Sequence, residues 1–217
     1  MIKIENVGVM GWEAAIRGLR NPMNSWDKSD SIEAGFSGKG FIFGEKDHEL
    51  AMKLVKGGPV HAKFRRMINV TFDMIAPLYM LKEFDTYKVG TVCNSCSTMH
   101  KIHEKEFVED DFSCEHLRTL QDVDGNDINF MTSLRQTIAM LNAARRNYLE
   151  TKEKVWWWQM IQLLPSSYNQ RRTLMLNYEV LANIYASRRN HKLNEWQDFC
   201  DWIETLPYSE LITGERE

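Results

Sequence analysis

The spacing of apolar residues changes character along this chain. Residues 2–10 alternate weakly between apolar and polar side chains and run into glycine, which predicts an edge strand. From Trp12 to Leu19 the apolar residues fall at helical spacing, and Asn21-Pro22 ends that helix. Residues 24–44 are rich in Ser, Gly and Asp and predict a loop placed to cover a site. A short helix from Asp47 to Lys56 closes on Gly57-Gly58-Pro59. Residues 67–75, MINVTFDMI, are β-branched and alternating and predict a strand, ended by Ala76-Pro77. Leu78 to Phe84 then forms a helical turn.

Residues 109–127 are acidic and polar. The run Asp122, Asp124, Gly125, Asn126, Asp127 superficially resembles a calcium loop, but its glycine is misplaced and Ser133 stands where the closing glutamate belongs. A plain turn is the reading. Beyond it the chain is mainly helical. Leu134, Ile138, Leu141 and Tyr148 mark one face of a long helix. Val155 to Leu164, with Trp156-Trp157-Trp158, is apolar enough for the deep core or a subunit interface. Leu164-Pro165 breaks it. A helix from about Thr173 to Arg189 follows, then one starting at an Asn194 N-cap that buries Trp196, Phe199, Cys200 and Ile203 before Pro207. There is no repeat or linker. One α/β (α+β) domain is expected over residues 1–217, with a central twisted sheet flanked by long helices.

Composition narrows the function classes. A net charge of −3 argues against a nucleic-acid binder. No apolar run is long enough to span a bilayer, and no secretory segment opens the chain, so no membrane partner is expected. Four cysteines in 217 residues are not needed as staples, and a reducing cytoplasm is the expected compartment.

The densest chemistry lies at residues 83–103, EFDTYKVGTVCNSCSTMHKIH. Cys93, Cys96, His100 and His103 have ligand types suited to zinc, although structural sites usually place two ligand pairs on separate elements. The other reading is a polar loop lining a small-molecule pocket. Farther on, Asn177, Leu181, Ile184 and Arg188 share one helical stripe. An arginine ending an apolar stripe either snorkels to solvent or faces a buried anion.

Taken in order, these segments resemble the flavin-dependent thymidylate synthases. Leu164-Pro165 followed by Asn177, Asn183 and Arg188 is similar to that family's Leu-Pro turn and its helix with two asparagines and a terminal arginine. His61 and Phe64 resemble its Glu-His-x-x-Phe segment. Its Arg-His-Arg signature, with the serine-bearing loop after it, falls here on Thr86-Tyr87-Lys88 and Cys93–Ser97. Two further family arginines fall at Thr98 or Met99 and at Ile161. The resemblance spans about Trp12 to Pro207.

It implies reductive methylation of dUMP to dTMP by a homotetramer with an α/β fold and active sites where subunits meet. FAD, NADPH and methylene-tetrahydrofolate are the implied cofactors. It places His61, Thr86, Tyr87, Lys88, Asn177 and Asn183 on the flavin side. It places Glu83, Lys88, Asn94, Ser95, Cys96, Ser97 and Arg188 against the nucleotide, with Arg188 as the catalytic residue stabilising charge on the pyrimidine. No resident metal is implied. The alternatives are a diverged flavin- or nucleotide-binding protein, and a zinc-stabilised interaction protein built on Cys93, Cys96, His100 and His103.

Overall fold

In the computed structural model, which describes residues 2–33 and 40–214, the alternating segments become strands in one four-stranded sheet. The elements run β1 (Lys3–Met10), α1 (Trp12–Arg20), β2 (Ile32–Glu33), β3 (Phe41–Ile42), α2 (Glu45–Lys56), β4 (Asn69–Pro77), α3 (Leu78–Phe84) and β5 (Val92–Ser95). Then come β6 (Thr119–Gln121), β7 (Asp127–Asn129), α4 (Phe130–Thr151), α5 (Lys154–Leu163), β8 (Asn169–Asn177), α6 (Tyr178–Arg188), α7 (Asn194–Glu204) and α8 (Glu210–Thr213). The sheet order is β1-β4-β8-β5. β4 and β8 are antiparallel: Tyr178 N donates to Ile68 O at one end, and Leu78 N donates to Tyr168 O at the other, both at 3.0 Å.

Strand alternation decides which residues are buried. Val70, Phe72, Met74 and Ala76 of β4 are buried, as are Gln170, Arg172, Leu174 and Leu176 of β8. On the other face of the sheet Asp73 accepts hydrogen bonds from Asn6 Nδ2 (2.8 Å) and Thr173 Oγ1 (2.6 Å), a polar ladder across three strands.

The chain's contacts gather into two compact units, with β4 and β8 divided between them at residues 73/74 and 172/173. The first holds residues up to Lys3, Met74–Phe84 and Asn94–Arg172. Its core joins Ile102, Phe107, Phe112, Leu134, Ile138, Leu141, Ala144 and Met160. Buried Asn142 closes the loop before α4: its Oδ1 accepts from Phe107 N at 2.9 Å and its Nδ2 donates to Phe107 O at 2.8 Å. Both polar ends are thereby satisfied inside the core.

The second unit holds Ile4–Asp73, Asp85–Cys93 and the chain from Thr173 onward. Phe72 packs on Trp202 (4.6 Å between ring centroids) and Phe199 (6.0 Å), and Trp12 stacks on Phe41 at 5.6 Å. Two buried ion pairs lie within this apolar mass. Arg65 grips Glu179 in the first turn of α6 (Nη2 to Oε2, 2.7 Å) and donates Nη1 to Leu211 O at 3.2 Å. Arg20 Nε meets Asp47 Oδ1 at 2.7 Å, and the other oxygen of Asp47 accepts from the hydroxyls of Ser29 and Ser31 and the backbone N–H groups of Asp30 and Ser31. Gly11, at φ 96, joins β1 to α1 where a Cβ would lie 2.0 Å from Met67 O, so only glycine fits.

Several sequence expectations need correction. Residues 173–177 continue a strand, and the helix begins at Tyr178. Buried Arg172, Leu174 and Leu176 alternate with exposed Arg171, Thr173 and Met175, a period of two that long apolar residues disguise as a helical stripe. The Trp-rich segment is α5, but within it only Met160 is fully buried, and Val155 and Trp158 are 54% and 42% exposed. It covers the first unit's core from outside. Leu193 rather than Asn194 is the N-cap of α7, without a side-chain bond, yet Trp196, Phe199, Cys200 and Ile203 are buried as predicted. The strand expected over 67–75 runs instead from Asn69 to Pro77, so Ala76-Pro77 ends it as its last two residues. The loop expected at 24–44 contains one short 3-10 turn, Trp26–Lys28, and the antiparallel pair β2–β3, and its residues 34–39 lie outside the described residues. The Asp122–Asn126 segment is the expected turn, with Asp122 Oδ1 accepting from Asp124 N and Asn126 N at 2.9 Å. Among the described residues no helix is long and apolar enough to cross a membrane.

Burial pushes the Asp47 carboxyl upward, but hydrogen bonds from Ser31, Ser29 and Arg20 outweigh it and hold the group below its ordinary value. A carboxyl depressed on folding stabilises the protein fully above its unfolded pKa of about 3.9, and this contribution disappears as pH falls through the lower folded value. Asp47→Ala leaves Arg20 buried and unpaired, so thermal unfolding should show a loss of about 3–5 kcal/mol at neutral pH. That loss should shrink below about pH 4. A variant as stable as wild type at pH 7 would refute the assignment.

Candidate functional site

Arg188 ends α6, and what surrounds it was only partly legible in the sequence. Asn177 caps the helix, its side-chain carbonyl accepting from Val180 N at 3.0 Å. Leu181 and Ile184 turn into the core, which carries Arg188 to a half-buried position on the same side. There Tyr87 Oη accepts from Arg188 Nε at 3.0 Å. The guanidinium carbon lies 4.8 Å from the Trp196 ring centroid and 5.8 Å from that of Tyr87. Two aromatic rings and a hydroxyl therefore fix an arginine that could otherwise snorkel.

The segment carrying Tyr87 is fitted to the same helix. Gly90 has φ 78, and a Cβ there would come within 2.9 Å of Asn177 Nδ2 and 3.2 Å of Val180 Cγ2. Glycine lets the backbone pass directly over the cap of α6. Thr86, Tyr87, Lys88, Asn177 and Arg188 thus belong to one neighbourhood of the second unit, with Thr86 and Lys88 exposed. Asn183 is exposed on α6. His61, also exposed, stands on the turn after α2, its ring against Gly57. The sequence reading missed Trp196 as a partner of Arg188; its only signal was an aromatic residue early in the following helix. A cleft of about 930 Å³ in the second unit is lined by Met10, Trp12, Arg17, Phe41, Trp202 and Tyr208 among others and by none of the predicted residues.

The remaining predicted residues, Glu83 and Asn94 to Ser97, lie in the first unit. Asn94 and Ser95 end the exposed edge strand β5. Cys96 N donates to Arg171 O at 2.9 Å, and Gln170 Nε2 donates to Cys96 O at 2.8 Å, pinning the loop to β8. Ser97 Oγ accepts from the N–H of His100 at 2.8 Å and of Met99 at 3.2 Å. Cys96 and Ser97 line a cleft of about 340 Å³ with Lys101, Lys105, Asp111 and Tyr168 among its other walls. Burial, with Cys96 and Asp111 nearby, pushes the Tyr168 hydroxyl up to about 12, so it remains a hydrogen-bond donor throughout the physiological range.

The zinc reading rests on Cys93, Cys96, His100 and His103. Among the described residues no three His, Cys, Asp or Glu side chains converge on a point that could hold a metal ion. The His103 ring instead packs edge-on against Tyr148 at 4.9 Å.

No protein-family model matches the chain, and no curated protein matches it in sequence. Solved structures do match in shape. Thymidylate synthase X from Helicobacter pylori, determined with FAD and dUMP, superposes with a TM-score of 0.66 over 98% of both chains at 20% identity. The UMP/dUMP methylase PolB from Streptomyces cacaoi, bound with 5-Br dUMP, gives a TM-score of 0.65 over 98% of this chain and 94% of its own at 14% identity. The protein therefore has the mixed α/β fold of these enzymes, spanning nearly its whole length.

Proposed function

We propose that the chain is a flavin-dependent thymidylate synthase-like enzyme that methylates dUMP reductively to dTMP. The observation that carries this reading is the end-to-end fold match to an enzyme determined with FAD and dUMP, combined with an arginine clamped by Tyr87 and Trp196 at the end of α6. In this reading the protein is a cytoplasmic homotetramer, each chain acting as a single domain, that uses NADPH and methylene-tetrahydrofolate.

The residues suit a flavin by their chemistry. His61, Thr86, Lys88 and Asn183 expose donors and acceptors, and Gly90 leaves the backbone bare beside Asn177. His61, Thr86, Tyr87, Lys88, Asn177 and Asn183 would hold FAD, which when bound and reduced supplies the reducing equivalents of the methylation. The Arg188 guanidinium presents its charge to the pyrimidine as negative charge develops there. Tyr87 acts as a positioning residue: its hydroxyl and ring limit the directions in which the guanidinium can point. Glu83 and Lys88 would contact the nucleotide, and Asn94, Ser95, Cys96 and Ser97 would receive its phosphate end.

The purified protein should take up FAD and show flavin absorption bands, and with dUMP, NADPH and methylene-tetrahydrofolate it should form dTMP. A folded protein that does not bind added FAD refutes the cofactor assignment. Flavin and dUMP binding without turnover would instead identify a diverged nucleotide-binding relative. Arg188→Ala should lower kcat by about 10²–10³. Tyr87→Phe should raise KM for dUMP about tenfold while changing kcat less, since it removes one hydrogen bond to a charged group. Equal kinetics for Tyr87→Phe and wild type would exclude the positioning role.

A further inference from the structure

A separate cleft, of about 350 Å³, lies in the first unit where the loop after β5 meets the α4–α5 corner. Five side chains line it: His100, Tyr148, Lys152, Lys154 and Trp157. None of them is acidic, and none belongs to the residues assigned to the flavin or nucleotide above.

The cleft is held by specific contacts. Trp157 Nε1 donates to Met99 O at 2.9 Å, which fixes the indole against the loop carrying His100. The Trp158 ring meets that of Trp157 edge-on at 4.8 Å. Lys152 caps α4 in the left-handed region at φ 57, with its N–H bonded to Tyr148 O at 2.9 Å. Glycine or asparagine usually takes such a position. A lysine here has its side chain aimed by the backbone, and its Nζ stands 6.0 Å from the Tyr148 ring centroid. Lys154 Nζ stands 5.7 Å from the ring of Trp158.

Two lysines line this cleft and no carboxylate does, so its lining carries a net positive charge that an anion would offset. Two lysines with a histidine suit a dianion. The Tyr148 and Trp157 rings offer flat apolar surface next to that charge, a pairing that suits a planar ring bearing a phosphate. We propose that this cleft binds a phosphate monoester of a planar heteroaromatic molecule, with His100, Lys152 and Lys154 on the phosphate and Tyr148 and Trp157 against the ring. The proposal stands on the cleft alone and does not depend on the thymidylate reading.

Calorimetric titration of the full chain carrying Arg188→Ala tests it, because that background separates the cleft from the Arg188 neighbourhood. The probes are UMP, AMP, uridine, adenosine and inorganic phosphate. At least one nucleotide should bind about tenfold more tightly than inorganic phosphate or either nucleoside, and more weakly as salt rises. Adding Lys152→Gly and Lys154→Gln together should weaken that binding about tenfold or more. Glycine suits the left-handed backbone at Lys152, so this double variant should keep its fold, as circular dichroism would verify. Lys154→Arg, which keeps the charge, should largely retain affinity. Failure of both nucleotides to bind, equal affinity for phosphate and nucleotide, or undiminished binding by the folded double variant would overturn the proposal.

Discussion

The ion pair between Arg65 and Glu179 governs where α6 can lie. Glu179 sits in the first turn of the helix, where negative charge is favoured by the helix dipole, and Arg65 reaches it from the 3-10 turn ahead of β4. Tyr178 N adds a backbone bond to Ile68 O beside it. Both charges are buried, so separating them would strand one or the other in apolar surroundings. The direction of α6 is therefore fixed at its start, and the place of Arg188 at its other end follows from helical geometry.

Around Arg188 the chain uses aromatic faces to hold charge. The Tyr87 and Trp196 rings come from separate segments and meet on the one guanidinium. Cation–π contacts restrain an arginine without cancelling its charge, as a carboxylate would. The same device recurs at Lys152 and Lys154 in the first unit. A chain with seven Trp and seven Tyr has the means for this.

Sequence patterns revealed much of the frame. Alternation in β4 and helical spacing in α1, α2, α4 and α7 correspond to real elements, and the stripe through Leu181, Ile184 and Arg188 is real. β8 was missed because Leu174, Met175 and Leu176 are all apolar, and only tertiary burial separates the inward Leu174 and Leu176 from the outward Met175. The three tryptophans of α5 suggested depth because their size outweighs every other signal, whereas one turn of helix must point some of them away from the core. Tyr87 stood within a motif window, yet its role required Arg188, 101 positions away in sequence.

Gly90 sets a boundary on how this protein can drift. In the segment Thr86-Tyr87-Lys88, Thr86 and Lys88 are exposed and Tyr87 is half-buried beside α6. Gly90 has no latitude: its backbone conformation and the 2.9 Å approach of Asn177 both exclude a side chain. The loop is thus restricted in shape, and a chain that kept the glycine and the helix-capping asparagine would keep the loop's path whatever charges it carried.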